Sequence, residues 1–168
     1  SQPASPPAPM TWRCKLSAAV IPMVVLLAVF FPVMPVFKTH LLGPPEDNME
    51  YYWMLWWAQK VWNGHLSLGY TPLLYFPQGM WLSFHFFCLP GLVAGLGLSQ
   101  LFSSAMVYNI LIVGSLWATY MTTFLLMRYL TRHDIASLVG AFVFAFNPFL
   151  SSVSLHHINY TSAYMLPL

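Results

Sequence analysis

Three of the four acidic residues in this chain stand together, in Gly43-Pro44-Pro45-Glu46-Asp47-Asn48-Met49-Glu50-Tyr51-Tyr52-Trp53. They follow directly on an apolar run that ends at Phe37. Ionisable groups at a lipid boundary are costly to keep, so their default reading is functional. Glu46 and Asp47, with the amide of Asn48, are the candidate catalytic pair, Asp47 first: a carboxylate there can take a proton from an attacking group. The competing reading is structural. Asp and Asn are favoured at helix caps, and anions there meet the positive end of a helix beginning at Met49. The two roles are compatible. Glu50 fits the first helical turn as a dipole partner.

Other candidates are weaker. Lys60 and Lys38 can pair with lipid phosphate, although snorkelling accounts for both equally well. His156 and His157 can bind phosphate or, with Asp47, a metal, but adjacent side chains point in different directions on any regular element, and solvated loop residues are the plainer reading. His85, between Phe84 and Phe86, reads as a partly buried, hydrogen-bonded histidine rather than a haem or pigment ligand. Cys14 and Cys88 are expected to lie apart and unpaired, and no CxxC or zinc-type spacing is present.

The elements that must position these groups are membrane elements. The chain is 58% hydrophobic and 6% charged, with a mean hydropathy of +0.65, whereas a soluble domain carries about 25% charged residues. The expected fold is all-α: an integral membrane protein with about three transmembrane helices, plus interfacial and re-entrant helices in a long first external loop. A net charge of +2, with no basic cluster or stacking platform, argues against nucleic acid as a partner. Membrane lipids are the expected partner, with other membrane subunits second.

Residues 1–15 read as a disordered cytoplasmic tail, its first ten residues holding Pro3, Pro6, Pro7 and Pro9. Leu16–Phe37 lies between Lys15 and Lys38 and is long enough to cross a hydrocarbon core of about 30 Å. Arg13 and Lys15 place the N-terminus in the cytoplasm by the positive-inside bias, so the acidic stretch faces out. No small-residue cleavage site follows, so the segment reads as an uncleaved anchor.

Residues 38–104 form the first external loop. Met49–Asn63 has helical periodicity, with Met54, Trp57, Ala58 and Val61 on one face and Tyr52, Trp56, Gln59, Lys60 and Asn63 on the other. Its Trp and Tyr content suits a helix lying along the headgroups. Tyr70–Gly79, with Pro72, Pro77 and Gly79, reads as irregular and extended, its aromatics again suited to the interface.

Phe86–Phe102 is apolar but broken by Pro90, Gly91, Gly95 and Gly97. A full crossing there would put Arg128 and Arg132 outside; a re-entrant dip keeps them in the cytoplasm, as the charge bias prefers. The second span is Ala105–Tyr129, with Gly114, Ala118 and Thr122 as a small-residue packing face and Asn109 ready to hydrogen-bond a neighbouring helix. The third is Ile135 to about Leu150, with Ala136 and Gly140 as a further small face. It ends at Asn147-Pro148, since the residue before proline resists helix. Residues 151–164 are expected as a second external loop, and Met165 as the start of another span. The apolar ending suggests a longer protein.

The order of these features resembles the N-terminal part of bacterial membrane glycosyltransferases of the GT-C superfamily, which includes the protein O-mannosyltransferases and aminoarabinose transferases. The matching pieces are Glu46-Asp47-Asn48, Tyr51-Tyr52-Trp53, Gly64, Thr71-Pro72-Leu73, Pro77-Gln78-Gly79, Arg128-Tyr129-Leu130-Thr131 and Phe144-Ala145-Phe146-Asn147-Pro148. Each is short; their order and spacing over about residues 16–168 carry the resemblance.

It implies an enzyme of the bacterial inner membrane that moves a sugar from a polyprenyl-phosphate carrier on the external face. Asp47 would act as general base and Glu46 beside it. Lys60, Tyr51, Trp56, His156 and His157 are the candidate substrate contacts. No cofactor is implied beyond the polyprenyl-phosphate donor, and no motif supports a divalent metal. A second acidic residue, common in the next external loop of that family, is absent. The alternative is a shortened, non-catalytic subunit that packs against partner helices, lipids or pigments in a larger complex.

Overall fold

The computed structural model describes residues 12–45, 47–64, 66–82 and 89–156. The tail before Trp12, Glu46, His85, the first part of the 86–102 segment, His157 and the expected span from Met165 lie outside the described residues.

The chain is mostly helical. Helix α1 covers Trp12–Phe30, so residues 12–15, expected in the disordered tail, are its first turn instead. It passes into a 3-10 helix, Phe31–Val36, where Pro32 and Pro35 remove backbone donors and the chain tightens. Helix α2 covers Asp47–Gly64. A two-stranded antiparallel hairpin follows, β1 Tyr70–Thr71 against β2 Met80–Trp81. Helix α3 covers Leu89–Leu98 and α4 covers Ser104–Thr131. The chain then reverses into α5, Asp134–Ala145, and α6, Pro148–His156. Among the described residues two helices are long and apolar enough to cross a membrane, Trp12–Val36 and Ser104–Thr131.

These two run antiparallel. The start of α1 (Cys14, Ala18) packs on the end of α4 (Tyr120, Phe124) together with Ala141 and Ala145 of α5. The end of α1 (Leu26, Phe30) packs on the start of α4 (Val107, Tyr108, Ile112). Midway, the Trp117 indole N–H donates to the Ala19 carbonyl at 3.4 Å. Arg13, Lys15, Arg128 and Arg132 therefore share one end of the molecule, and α2, the hairpin and α3 share the other. Helix α2 enters the second cluster with Tyr51, Leu55 and Ala58, beside Leu92 of α3.

Helix ends follow local chemistry. The Ser103 hydroxyl accepts from the Met106 N–H at the start of α4, and Arg132, with φ 56°, ends it in the left-handed region. The His133 ring accepts from the Ala136 N–H and caps α5. Arg128 and Asp134 pair across this turn at 2.7 Å.

Two expectations need correction. The small-residue face of α4 is not its packing face: a side chain at Gly114 would meet open space. The buried stripe is instead Val107, Tyr108, Asn109, Ile112, Ser115, Leu116, Thr119, Tyr120, Thr123 and Phe124. On α5 the expectation holds at Gly140, where an added Cβ would lie 2.8 Å from the Met127 methyl. The second correction concerns residues 135–150, which are not one helix. Helix α5 stops at Ala145, and the Asn147 side chain accepts from the Leu150 N–H at 2.8 Å to start α6 behind Pro148. Residues 151–156 are consequently helix rather than loop.

Asn109 is 0% exposed within apolar surroundings. Its amide donates to the carbonyls of Phe37 and His40, both at 2.8 Å, and accepts from the Leu42 N–H at 2.9 Å. Asn109→Leu strands the buried Leu42 N–H, at a cost of about 1–3 kcal/mol, and removes the partner of the Phe37 and His40 carbonyls on less buried residues. The expected outcome is a stability loss of about 2 kcal/mol, read by thermal unfolding in detergent, together with faster proteolysis within 37–45. An unchanged melting temperature would remove this clamp from the account of the fold.

Candidate functional site at the acidic turn

The acidic turn is placed by two amides, one on each side. Asn109 fixes residues 37–42 against α4. Ser103 adds to it, its hydroxyl donating to the Lys38 carbonyl at 3.1 Å. The chain then turns at Gly43, which adopts φ +93°. No other residue fits easily: an added Cβ would overlap the Leu155 carbonyl and the Asn48 amide.

Asn48 is the second clamp and is 1% exposed. Its Nδ2 donates to the Pro44 carbonyl at 3.2 Å and to the Leu155 carbonyl at the end of α6. Its Oδ1 is buried without a hydrogen-bond partner among the described residues.

This geometry sorts the candidate residues. Asp47 and Glu50 stand in the first turn of α2, both exposed. Their charges face the positive end of the helix dipole, as expected of Glu50, while Asp47 is a first-turn residue of a helix that starts two residues before Met49 rather than its cap. The Leu155 contact brings the end of α6, with half-buried His156 in its last turn, against that same turn of α2. The first turn of α2, with Asp47 and Glu50, and the end of α6, with His156, thus meet through the Asn48–Leu155 bond.

The other candidates sit elsewhere. Tyr51, expected as a substrate contact, is turned into the core at 4% exposure and packs with Leu55 and Leu92. The register of α2 requires this, because Tyr51, Leu55 and Ala58 share its inward face. Trp56 and Lys60 lie farther along the helix. At 1.5 Å per residue they are about 13 Å and about 20 Å from Asp47. They form a second group with Trp53 and Trp57. The Lys60 ammonium lies 5.6 Å from the centre of the Trp56 ring, and Trp53 stacks on Trp57 at 5.8 Å. Of the face expected to pack, Met54, Trp57 and Ala58 are buried.

Chemically, the junction offers exposed carboxylates and an imidazole around a fixed backbone. That set suits proton transfer to or from a bound hydroxyl or amine. Among the described residues no three of His, Cys, Asp or Glu converge as a metal site. The residues that reasoning from the sequence undervalued are Asn48 and Asn109. Asn48 stood in the acidic motif without a role of its own. Asn109 was expected to reach a neighbouring helix and instead binds loop backbone. The available signal was an amide in an otherwise apolar helix, and a Gly-Pro-Pro turn five residues before a second amide.

Gly43 carries this subsection's prediction. Gly43→Ala forces a positive φ on a residue with a Cβ, a strain of about 1–3 kcal/mol, and drives that carbon into α6. Gly114→Ala, in open space on a helix, should be neutral or stabilising by up to about 1 kcal/mol. Thermal unfolding of the two variants side by side checks the contrast, and equal melting temperatures would contradict it. In comparisons with known proteins, no family model, no curated protein and no solved structure matches this chain.

Proposed function

We propose that the chain is the N-terminal membrane part of a GT-C-type glycosyltransferase, with Asp47 as general base on the external face of the bacterial inner membrane. The observation that carries this reading is the double clamp. Asn109 and Asn48 are buried and spend their hydrogen bonds on backbone, while the carboxylates between and beyond them stay exposed. Rigid backbone under exposed acid groups is what a positioned base requires.

In the proposed reaction Asp47 takes the proton of an acceptor hydroxyl or amine. The acceptor atom bonds to the anomeric carbon as the bond from that carbon to the phosphate oxygen breaks. The polyprenyl phosphate leaves with that electron pair. Glu50 and His156 line the same junction. Lys60 and Trp56 are too far along α2 to reach the reacting atoms and suit headgroup contact instead.

The arrangement of charge supports the topology. Arg13, Lys15, Arg128 and Arg132 share one end of the antiparallel α1–α4 pair, which the positive-inside bias puts in the cytoplasm. Helix α3 has 10 residues, about 15 Å against a core of about 30 Å, which favours a re-entrant 86–102 segment. A third crossing at 135–150 would be made by α5 and α6 together.

A non-catalytic packing subunit is the second reading. It draws on the fully apolar cleft of about 160 Å³ between α2 and α3, lined by Ala58, Val61, Leu92 and Leu96 among others, and on exposed apolar faces such as Val20, Val24 and Leu27 of α1. These surfaces would seat partner helices or lipid chains.

Asp47→Asn in the full-length protein decides between them. Removing a general base lowers glycosyl transfer from the polyprenyl-phosphate donor by about 100-fold or more, with unchanged expression and a loss of no more than about 1 kcal/mol of stability from the charge removed at the helix start. Full activity in that variant would remove Asp47 from the mechanism.

A further inference from the structure

We propose that the β1–β2 hairpin is an interfacial anchor, its tip residues Tyr75 and Phe76 inserting among the lipid headgroups and the first methylenes of the acyl chains. This rests on the membrane reading above, not on the glycosyltransferase assignment.

The hairpin is built to hold its tip outward. Tyr70 pairs with Trp81 and Thr71 with Met80, a ladder too short to stand alone in water. Side chains and turn bonds complete it. The Tyr70 hydroxyl donates to the Gln78 carbonyl at 2.8 Å, and the N–H groups of Gln78 and Gly79 both donate to the Tyr75 carbonyl. Gly79, at φ +73°, lies so close to the Tyr70 ring and the Thr71 carbonyl that a Cβ would not fit. At the base, Leu82 is buried against Met54 and Trp57 of α2.

Tyr75 itself takes φ 53°, a conformation that few residues other than glycine adopt. Yet the side chains this turn carries make little use of the fold: Tyr75 is 75% exposed and Phe76 84%. Strained, ordered backbone that presents bare aromatic rings points to a binding role.

Composition identifies the occupant. From Val61 to Met127 there is no Asp, Glu, Lys or Arg. A protein-docking patch is normally rimmed by polar and charged residues. A charge-free tip bearing Tyr and Phe, with exposed Trp81 and Leu73 beside it, matches the aromatic belt of membrane proteins. Its height fits as well. Helix α2, which carries the hairpin, meets α4 near its first turn, where the Tyr52 ring lies edge-on to Tyr108 with centres 6.2 Å apart. The hairpin therefore rides alongside the end of α4 rather than far beyond it.

The test is spin-label depth in nanodiscs of zwitterionic and anionic phospholipid, using the full chain in a Cys88→Ser background, Cys14 being buried. Labels are placed at Phe76→Cys, at Val24→Cys on the exposed apolar face of α1, and at exposed Asn63→Cys at the end of α2. Collisions with oxygen should exceed those with a water-soluble nickel chelate at positions 76 and 24, and the order should reverse at 63. A water-like signal at 76 beside a lipid-like one at 24 overturns the anchor and leaves the membrane reading intact. Water-like signals at both overturn the membrane reading and the anchor with it. Shielding of position 76 from both reagents means protein covers the tip, which also overturns the proposal.

Discussion

The structure depends on one buried amide. Asn109 sits on α4 among apolar side chains, where an unpaired polar group is expensive, and it meets that cost with three hydrogen bonds to the backbone of residues 37–42. The partners are as specific as the amide, since two carbonyls and one N–H must converge on its two ends. Helix α4 cannot slide or rotate against the exit of α1 without breaking all three. An apolar contact in the same place would tolerate several registers, because hydrophobic burial is non-directional. The amide admits one.

From that point the rest of the acidic turn follows. Residues 37–42 are fixed to α4, Gly43 reverses the chain against α6, and Asn48 ties the first turn of α2 to the Leu155 carbonyl. Three segments far apart in sequence thus hold one short loop. Asp47 and Glu50 stand in the first turn of α2, and that turn is held in place by these neighbours. The remaining acidic residue, Asp134, is engaged at the opposite end of the molecule with Arg128. Charge is thereby separated into two poles along the long axis of the α1–α4 pair.

Helix α2 joins two chemically different regions. Its first turn carries carboxylates near an imidazole; its later turns carry stacked indoles, a lysine over one of them, and the hairpin that leans on Trp57. One helix can serve both because successive residues turn through about 100°, so the inward stripe of Tyr51, Leu55 and Ala58 leaves the remaining faces for other work. Tyr51 is thereby turned into the core, while Trp56 and Lys60 stand more than two turns beyond Asp47 on the same helix.

Much of the architecture was readable from local sequence. The apolar runs Leu16–Phe37 and Ala105–Tyr129 mark the two long helical segments, Trp12–Val36 and Ser104–Thr131, the periodicity of Met49–Asn63 gives α2, and the cluster of acids after an apolar run marks the turn that the amides later clamp. Tertiary structure decided what local sequence leaves degenerate. Helix α4 is apolar almost all round, so its composition favours no face, and the choice of Ile112, Leu116 and Tyr120 over Gly114 was made by α1, α2 and α5 packing against it. The burial of Tyr51 and the reach of Asn109 belong to the same class. Each depends on a partner distant in the chain, and the energies involved are contact energies that exist only once that partner arrives.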